Sequence, residues 1–305
     1  MTKSVAVLMG GTSAEREVSL VSGKECADAL DKSGFRVTCI DVTSNIQAMI
    51  DALRSCKPDV VFNALHGRHG EDGKIQGLLD LLGIPYTYSG VLASAVAMDK
   101  QKAKILFAAM GIPCPEGRVM TLDQVGACAD LQPPYVIKPN DEGSSVGVYI
   151  VRDGDNRIPT REWPFGETAL VETFIPGREL TVGVMGDKAL GVTELRPQGG
   201  FYDYESKYTD GKTVHLCPAP IPDDIARQAM EYAVTAHNIL GCRGVSRSDF
   251  RYDDTAGEPG QLYMLELNTQ PGMTPLSLVP EQAAHAGMPF GELVTWMVEN
   301  AACDS

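Results

Sequence analysis

Tyr263-Met264-Leu265-Glu266-Leu267-Asn268-Thr269-Gln270-Pro271-Gly272-Met273-Thr274-Pro275, read together with Ser246-Arg247-Ser248-Asp249-Phe250-Arg251-Tyr252, decides how this chain is organised. In the first stretch polar and apolar residues alternate, and the period of two in a strand puts Glu266 and Asn268 on one face while Leu265 and Leu267 enter a core. The second stretch alternates in the same way, with Arg247, Asp249 and Arg251 on a face opposite Ser248 and Phe250. If the two strands are neighbours, Asp249, Glu266 and Asn268 converge. Two carboxylates and an amide oxygen suit a hard cation such as Mg²⁺, which is held by one or two carboxylates plus substrate phosphates. For either strand alone, an amphipathic sheet with one wet face explains the pattern. The continuation through Pro271 and Gly272 favours a site, because these residues end the strand and leave backbone N–H groups free beside the carboxylates.

Composition narrows what such a site can serve. A chain of 305 residues, 44% hydrophobic, buries a substantial core and is long enough for two or three domains. Its net charge of −14 argues against nonspecific nucleic-acid binding, which depends on Lys and Arg neutralising phosphates. Any anionic ligand must find a local cluster of bases. The eight cysteines form no CxxC pair, so neither a zinc site nor a disulfide framework is signalled, and reduced thiols in the cytoplasm are the expectation. The apolar run Val5 to Met9 is too short for a signal-peptide core or a membrane span.

Taken in order, Val5 to Met9 reads as a buried parallel strand, and Gly10-Gly11-Thr12-Ser13-Ala14-Glu15 as a Gly-rich turn opening a helix that runs to about Ser33. The turn has neither GxGxxG nor GxxxxGK[ST] spacing, so no dinucleotide or P-loop site is implied. Strands at Arg36 to Val42 and Asp59 to Asn63, with a helix near Ile46 to Ser55, extend a doubly wound unit that closes near Gly90. The loop His66-Gly67-Arg68-His69-Gly70-Glu71-Asp72-Gly73 falls at the carboxyl end of a strand, where open α/β sheets bind ligands. Lys100, Lys102 and Lys104 follow on a helix to about Met110, and a charge run of this kind is usually a solvated face. The strand Tyr135 to Lys138 leads into Pro139-Asn140-Asp141-Glu142-Gly143-Ser144-Ser145-Val146-Gly147, a loop able to close over phosphates with backbone N–H and hydroxyl groups, or else a plain hairpin turn. Strands follow at Ala169 to Phe174, Glu179 to Met185 and Ala189 to Leu195. A long polar region, Arg196 to Val214, reads as an active-site cover. Helices at Asp223 to Leu240, Glu281 to Ala286 and Phe290 to Ala301 complete the chain.

GGTSAEREVS from Gly10, HGRHGEDG from His66, MDK from Met98, KPNDEGSSVG from Lys138, YDYESKY from Tyr202, SRSDF from Ser246 and ELNTQPGMT from Glu266 together resemble the D-alanine–D-alanine ligase family of the ATP-grasp superfamily. The order and spacing of these strings carry the resemblance, and it covers essentially the whole chain. It implies an α/β (α+β overall) ATP-grasp fold: an N-terminal doubly wound domain over 1–94, a central lid domain over 95–176 and a catalytic domain over 177–305, with ATP gripped between the last two. It also implies ATP-dependent joining of two D-alanines through an acyl phosphate, for peptidoglycan precursors, in a cytoplasmic homodimer that binds neither nucleic acid nor membrane.

By the same resemblance, Asp249, Glu266 and Asn268 would hold two Mg²⁺ ions, with Mn²⁺ as the alternative, and Lys100, Lys138 and Lys207 would meet the phosphates of ATP. Arg247 and the Gly272 N–H would face the developing oxyanion. Glu15 would take the ammonium of the first D-alanine, joined by Ser144 and Tyr208, with His66 also at the substrate. Ser277 and Leu278 resemble the carboxylate site of the second D-alanine. Glu172, Thr173 and Ile175 would supply the adenine hinge and Glu179 the ribose contact. Two departures stand out: Thr173 and Phe174 replace the Lys and Trp of some members, and Ser248 stands where an apolar residue is common, which should carry a local packing cost. A D-alanine–D-lactate or D-alanine–D-serine ligase is the rival within the superfamily, and Tyr208 favours the dipeptide enzyme. A nucleotide-binding module without catalysis is the rival outside it.

Overall fold

The computed structural model describes residues 2–127, 132–143, 146–155, 163–197, 213–255, 257–274 and 276–304. It begins with β1 (Ser4–Gly10), α1 (Arg16–Lys32), β2 (Arg36–Val42), α2 (Ile46–Cys56), β3 (Val60–Asn63) and α3 (Lys74–Leu82). The three strands are parallel, with β1 in the middle. Alternate residues of β1 face opposite sides. Val5 and Val7 pack with Cys26, Ala27 and Leu30 of α1, whereas Ala6 and Leu8 pack with Met49 and Leu53 of α2 and Leu79 of α3. Helices therefore cover both faces, which is why the strand reads as a continuous apolar run. At the carboxyl end of β1 the chain turns at Gly10 with φ +84°, and a Cβ there would lie 2.2 Å from Asp41 Oδ1, so this turn requires glycine. Ser19 of α1 then ties two strand ends together, accepting from the Gly10 N–H at 2.9 Å and donating to the Ala64 carbonyl at 2.7 Å.

α4 (Val91–Met98) and α5 (Lys100–Ala109) follow, separated by Asp99 alone. Asp99 caps α5 by accepting from the Lys102 N–H at 3.1 Å. The solvated face expected of the lysine run holds for Lys102 only. Lys100 and Lys104, one turn apart on the same side of α5, are each 8% exposed.

The second sheet comprises β4 (Gly117–Thr121), β5 (Tyr135–Lys138), β6 (Tyr149–Val151) and β7 (Thr168–Thr173), antiparallel in the order β4-β7-β5-β6, with α6 (Leu122–Ala127) against it. Its small separate core contains Met120, Tyr135, Ile137 and Val171. The third sheet is antiparallel in the order β10-β9-β8-β11-β12. The chain supplies it as β8 (Arg178–Met185), β9 (Lys188–Pro197), β10 (Thr213–Leu216), then α7 (Asp223–Ile239), β11 (Val245–Asp253) and β12 (Gln261–Asn268). Ile225, Ala229, Ala233 and Ala236 of α7 pack on this sheet together with Ala103 and Phe107 of α5. β10 sits within the region read as one long polar loop, of which 198–212 lies outside the described residues.

α8 (Leu278–His285) and α9 (Phe290–Glu299) close the chain, and Leu293 and Met297 of α9 join the core on the α1 side of the first sheet. α8 begins before the expected Glu281, because Pro280 falls in its first turn, where a missing N–H breaks no helical hydrogen bond. The deciding stretch needs one correction. Asp249 pairs with Glu266 but Phe250 with Met264, so Leu265 is the extra residue of a β-bulge. The bulge shifts the phase of the strand: Leu262, Met264 and Leu267 are buried, while Leu265 faces a cleft instead of the core.

Candidate active site

The second and third sheets enclose a cleft of about 390 Å³, and a smaller cavity of about 60 Å³ lies toward the first sheet. The two share Lys100, Glu142 and Glu266 in their walls. β11 and β12 are neighbours, with Asp249 opposite Glu266 and Arg247 opposite Asn268, so the expected convergence of these residues is present. Arg247 donates through Nε and Nη2 to the two oxygens of Asp249 at 2.9 and 2.7 Å, a bidentate pair that also orients the carboxylate. Thr181 of β8 donates to Asp249 Oδ1 at 2.7 Å. Lys100 Nζ lies 3.3 Å from Glu266 and donates to the Glu142 carbonyl at 2.6 Å. The loop after β5 is docked on α5 as well, since the Lys100 N–H donates to the Asn140 carbonyl at 3.0 Å and Asn140 Nδ2 donates to Asp99 at 2.8 Å. The amide oxygen of Asn268 accepts from the Gln270 N–H at 2.7 Å.

The large cleft receives Lys138, Glu172, Thr173, Ile175 and Glu179, all named from sequence. Glu172 is 4% exposed, with one carboxylate oxygen against Lys138 and the other against Lys104. Burial opposes its charge, but the two ammonium groups outweigh burial and hold the carboxyl below its ordinary range. Burial, and after it the neighbouring Lys138 charge, push Lys104 down to about 8. The N–H of Thr173 donates to the Glu116 carbonyl and that of Phe174 to the Pro134 carbonyl, within the second sheet's framework. Arg251 braces the hinge by donating to the carbonyls of Ile175 and Gly177 at 3.1 and 2.7 Å, with its guanidinium 3.4 Å from Glu179.

Glu15, His66, Arg247, Asn268 and Gly272 line the small cavity. Glu15 is buried at the opening of α1. His66 Nδ1 lies 3.0 Å from Glu71 and its Nε2 3.4 Å from the Ser22 hydroxyl. Burial disfavours the imidazolium, yet the Glu71 carboxylate, with a smaller contribution from Glu15, raises His66 above its ordinary value. Ser277 and Leu278 are not among the described residues of this wall: the Ser277 hydroxyl, next to Gly272, accepts from the Thr274 N–H at 2.9 Å, and Leu278 packs on Leu195. Ser144, Lys207 and Tyr208 lie outside the described residues.

The sequence reading missed Thr181, Lys104 and the pair Asn63–Gln270. Asn63 Nδ2 donates to Gln270 Oε1 at 2.9 Å, and Gln270 Nε2 donates to the Leu65 carbonyl, which binds the loop after β12 to the end of β3. The i, i+4 spacing of Lys100 and Lys104 was the available signal for the second of these; nothing local marks the others.

Residues 4–52 and 47–89 match the family model described as the D-ala D-ala ligase N-terminus, and residues 107–299 match the D-ala D-ala ligase C-terminus. The D-alanine–D-alanine ligase of Methylobacterium radiotolerans is 59% identical over 307 residues, covering 99% of each chain. The chain belongs to the D-alanine–D-alanine ligase family. The family enzyme of Paramagnetospirillum magneticum is 58% identical over the full length of both chains. Among solved structures, a D-alanine–D-alanine ligase from Bacillus anthracis complexed with ATP superposes with a TM-score of 0.82 at 31% identity, covering 98% of this chain and 97% of that one. The three sheets are thus those of an ATP-grasp ligase. A D-Ala:D-Ser ligase from Enterococcus faecalis superposes almost as well, with a TM-score of 0.81 at 28% identity and 98% and 99% coverage, so the backbone alone does not separate acceptor substrates within this family.

Proposed function

We propose that the protein is an ATP-dependent D-alanine–D-alanine ligase that works through an acyl phosphate. The observation that carries this reading is the meeting of a nucleotide-sized cleft and a cavity fit for a small amino acid at the same three residues, Lys100, Glu142 and Glu266. A carboxylate in the small cavity and a terminal phosphate in the large one would come together there.

In this mechanism Glu15 takes the ammonium of the first D-alanine, with His66 beside it, and the substrate carboxylate attacks the γ-phosphorus, releasing ADP. The amine of the second D-alanine then attacks the acyl carbon, and inorganic phosphate leaves with the former carboxylate oxygen. Lys100, Lys138 and Lys207 neutralise phosphate oxygens, since phosphoryl transfer is catalysed mainly by positioning and charge. Arg247 and the Gly272 N–H stabilise the oxyanion, Ser144 and Tyr208 join Glu15, and Ser277 with Leu278 serves the second carboxylate. Because the Thr173 and Phe174 N–H groups donate elsewhere, Ile175 is the hinge residue suited to donate to the adenine edge, with Glu179 at the ribose and Thr173 contributing through its carbonyl. Asp249, Glu266 and Asn268 form an all-oxygen set suited to Mg²⁺ or Mn²⁺, and two such ions would supply charge neutralisation across the phosphates. Carboxylates already paired with Arg247 and Lys100 can exchange cation partners in this way.

The reading extends to a division of the chain at 1–94, 95–176 and 177–305, a cytoplasmic homodimer, and a role in peptidoglycan precursor synthesis. No helix among the described residues is long and apolar enough to cross a membrane. The test is phosphate release from Mg-ATP with D-alanine alone and with D-alanine plus D-serine or D-lactate, all products being quantified. D-alanine alone should support release, with the dipeptide dominant in every mixture. A dominant mixed product would reassign the acceptor, and no release in any mixture would leave a nucleotide binder.

A further inference from the structure

Glu172 faces the large cleft, whereas Lys104 does not: it reaches Glu172 from behind, across a rear groove that also exposes Cys114. Each carboxylate oxygen of Glu172 is engaged by a different ammonium, Oε2 by Lys104 and Oε1 by Lys138. Three buried charges on three elements, α5, β5 and β7, therefore sum to +1 at the edge of a cleft in a protein whose net charge is −14. We propose that Lys104 is a positioning residue for the nucleotide: by sharing the charge of Glu172 it leaves the Lys138 ammonium available to phosphate and holds the Glu172 carboxylate in one orientation. This rests on reading the large cleft as the nucleotide site.

The alternative is a purely structural ion triad. Burial penalises all three groups, and a buried ion pair is weak evidence for stability. Removing Lys104 leaves the Glu172–Lys138 pair, which is charge-balanced, so the fold should tolerate an isosteric neutral residue. What changes is the state of Lys138. With Lys104 present Lys138 faces a partly neutralised carboxylate; without it Lys138 faces the whole charge and is drawn away from the cleft. Deprotonating Lys104 should have the same effect. The charged and titratable groups facing Lys104 are Glu172 from β7, Lys138 from β5 and Cys114 from the segment after α5. Burial pushes the Cys114 thiol up to about 11, so it stays neutral through the range in which Lys104 titrates near 8.

The experiment is calorimetric binding of Mg-ADP and Mg-ATP from pH 6.5 to 9.5 to wild type, Lys104→Met, Lys104→Arg and Lys138→Met, with thermal unfolding of each. Wild-type affinity should fall as pH rises through about 8. Lys104→Met should bind about tenfold more weakly, equivalent to ~1.4 kcal/mol, with no alkaline fall and an unchanged KM for D-alanine. Lys104→Arg, which stays charged, should keep its affinity to pH 9.5. If Lys104→Met matches wild type at every pH while Lys138→Met weakens binding, the positioning role is wrong and the nucleotide site stands. If neither changes binding, the nucleotide reading of the cleft falls, and this proposal with it. Should Lys104→Met fail to fold, Lys104→Arg decides alone, and an alkaline fall like that of wild type would overturn the proposal.

Discussion

Two charge clusters border the large cleft, and they are balanced differently. At the rear, one carboxylate, Glu172, lies between Lys104 and Lys138, with every side chain at most 10% exposed. At the front, where the two cavities meet, Arg247 holds Asp249 and Lys100 faces Glu266, two cations to two carboxylates, with side-chain exposures between 9% and 24%. Surplus positive charge in a dry environment suits a fixed polyanion, because Coulomb attraction is strongest where water is excluded. A balanced, wetter cluster suits a place where cations and substrate charges must enter and exchange. On the proposed reading, this difference places binding at the rear cluster and chemistry at the front one.

The largest expected effect is at the front. Glu266→Gln removes a carboxylate from a strand whose buried face is unchanged, so kcat should fall by about 10²- to 10³-fold while the unfolding midpoint stays near that of wild type. Near-native turnover at limiting Mg²⁺ would erase the distinction between the clusters. Lys138→Met should act in the opposite kinetic parameter: losing a charged hydrogen bond of ~1.5–3 kcal/mol raises the KM for ATP about 10- to 100-fold with little change in kcat. Steady-state kinetics with ATP and D-alanine varied separately would show whether the effect is confined to the nucleotide.

Smaller effects concern stability. Lys104 titrates at about 8 in the fold, below its ordinary 10.5, so above pH 8 the unfolded chain binds more protons than the native one. Its contribution to stability therefore rises with pH between about 8 and 10.5, so in urea titrations the stability of wild type relative to Lys104→Met should rise over this range, the buried thiols, which titrate there in both proteins, cancelling in the difference. Ser248, on the buried side of β11 opposite the site, has a hydroxyl with no hydrogen-bond partner. At this departure from the family pattern the hydroxyl is desolvated without a hydrogen bond in return. Ser248→Ala should raise stability by about 1 kcal/mol, or roughly 2 °C in midpoint, with activity unchanged.

The front cluster was largely legible in the sequence and the rear one was not, for identifiable reasons. Arg247, Asp249, Glu266 and Asn268 lie on alternating strands, where a period of two exposes the shared face directly. Leu265 escaped because a bulge adds one residue without any local sequence mark, reversing its face. Lys104 was hidden by its neighbours: a lysine run reads as solvated, and only the tertiary contact with Glu172, 68 residues away, draws it inside. The helix α4 went unread in the sequence, and Asp99, the single residue after it, serves as the N-cap of α5. Ser277 and Leu278 were named by resemblance alone: the Ser277 hydroxyl accepts from the Thr274 N–H beside Gly272, and Leu278 packs on Leu195.

The central claim is that a carboxylate in the small cavity attacks the terminal phosphate in the large one. Supplying D-alanine labelled with ¹⁸O in both carboxylate oxygens, and measuring the mass of the phosphate released from unlabelled Mg-ATP alongside the dipeptide formed, tests it directly. One ¹⁸O atom should appear in phosphate for each D-alanyl-D-alanine made, because the oxygen bonded to phosphorus in the acyl phosphate leaves with it. Phosphate free of label, or released without stoichiometric dipeptide, would contradict the claim.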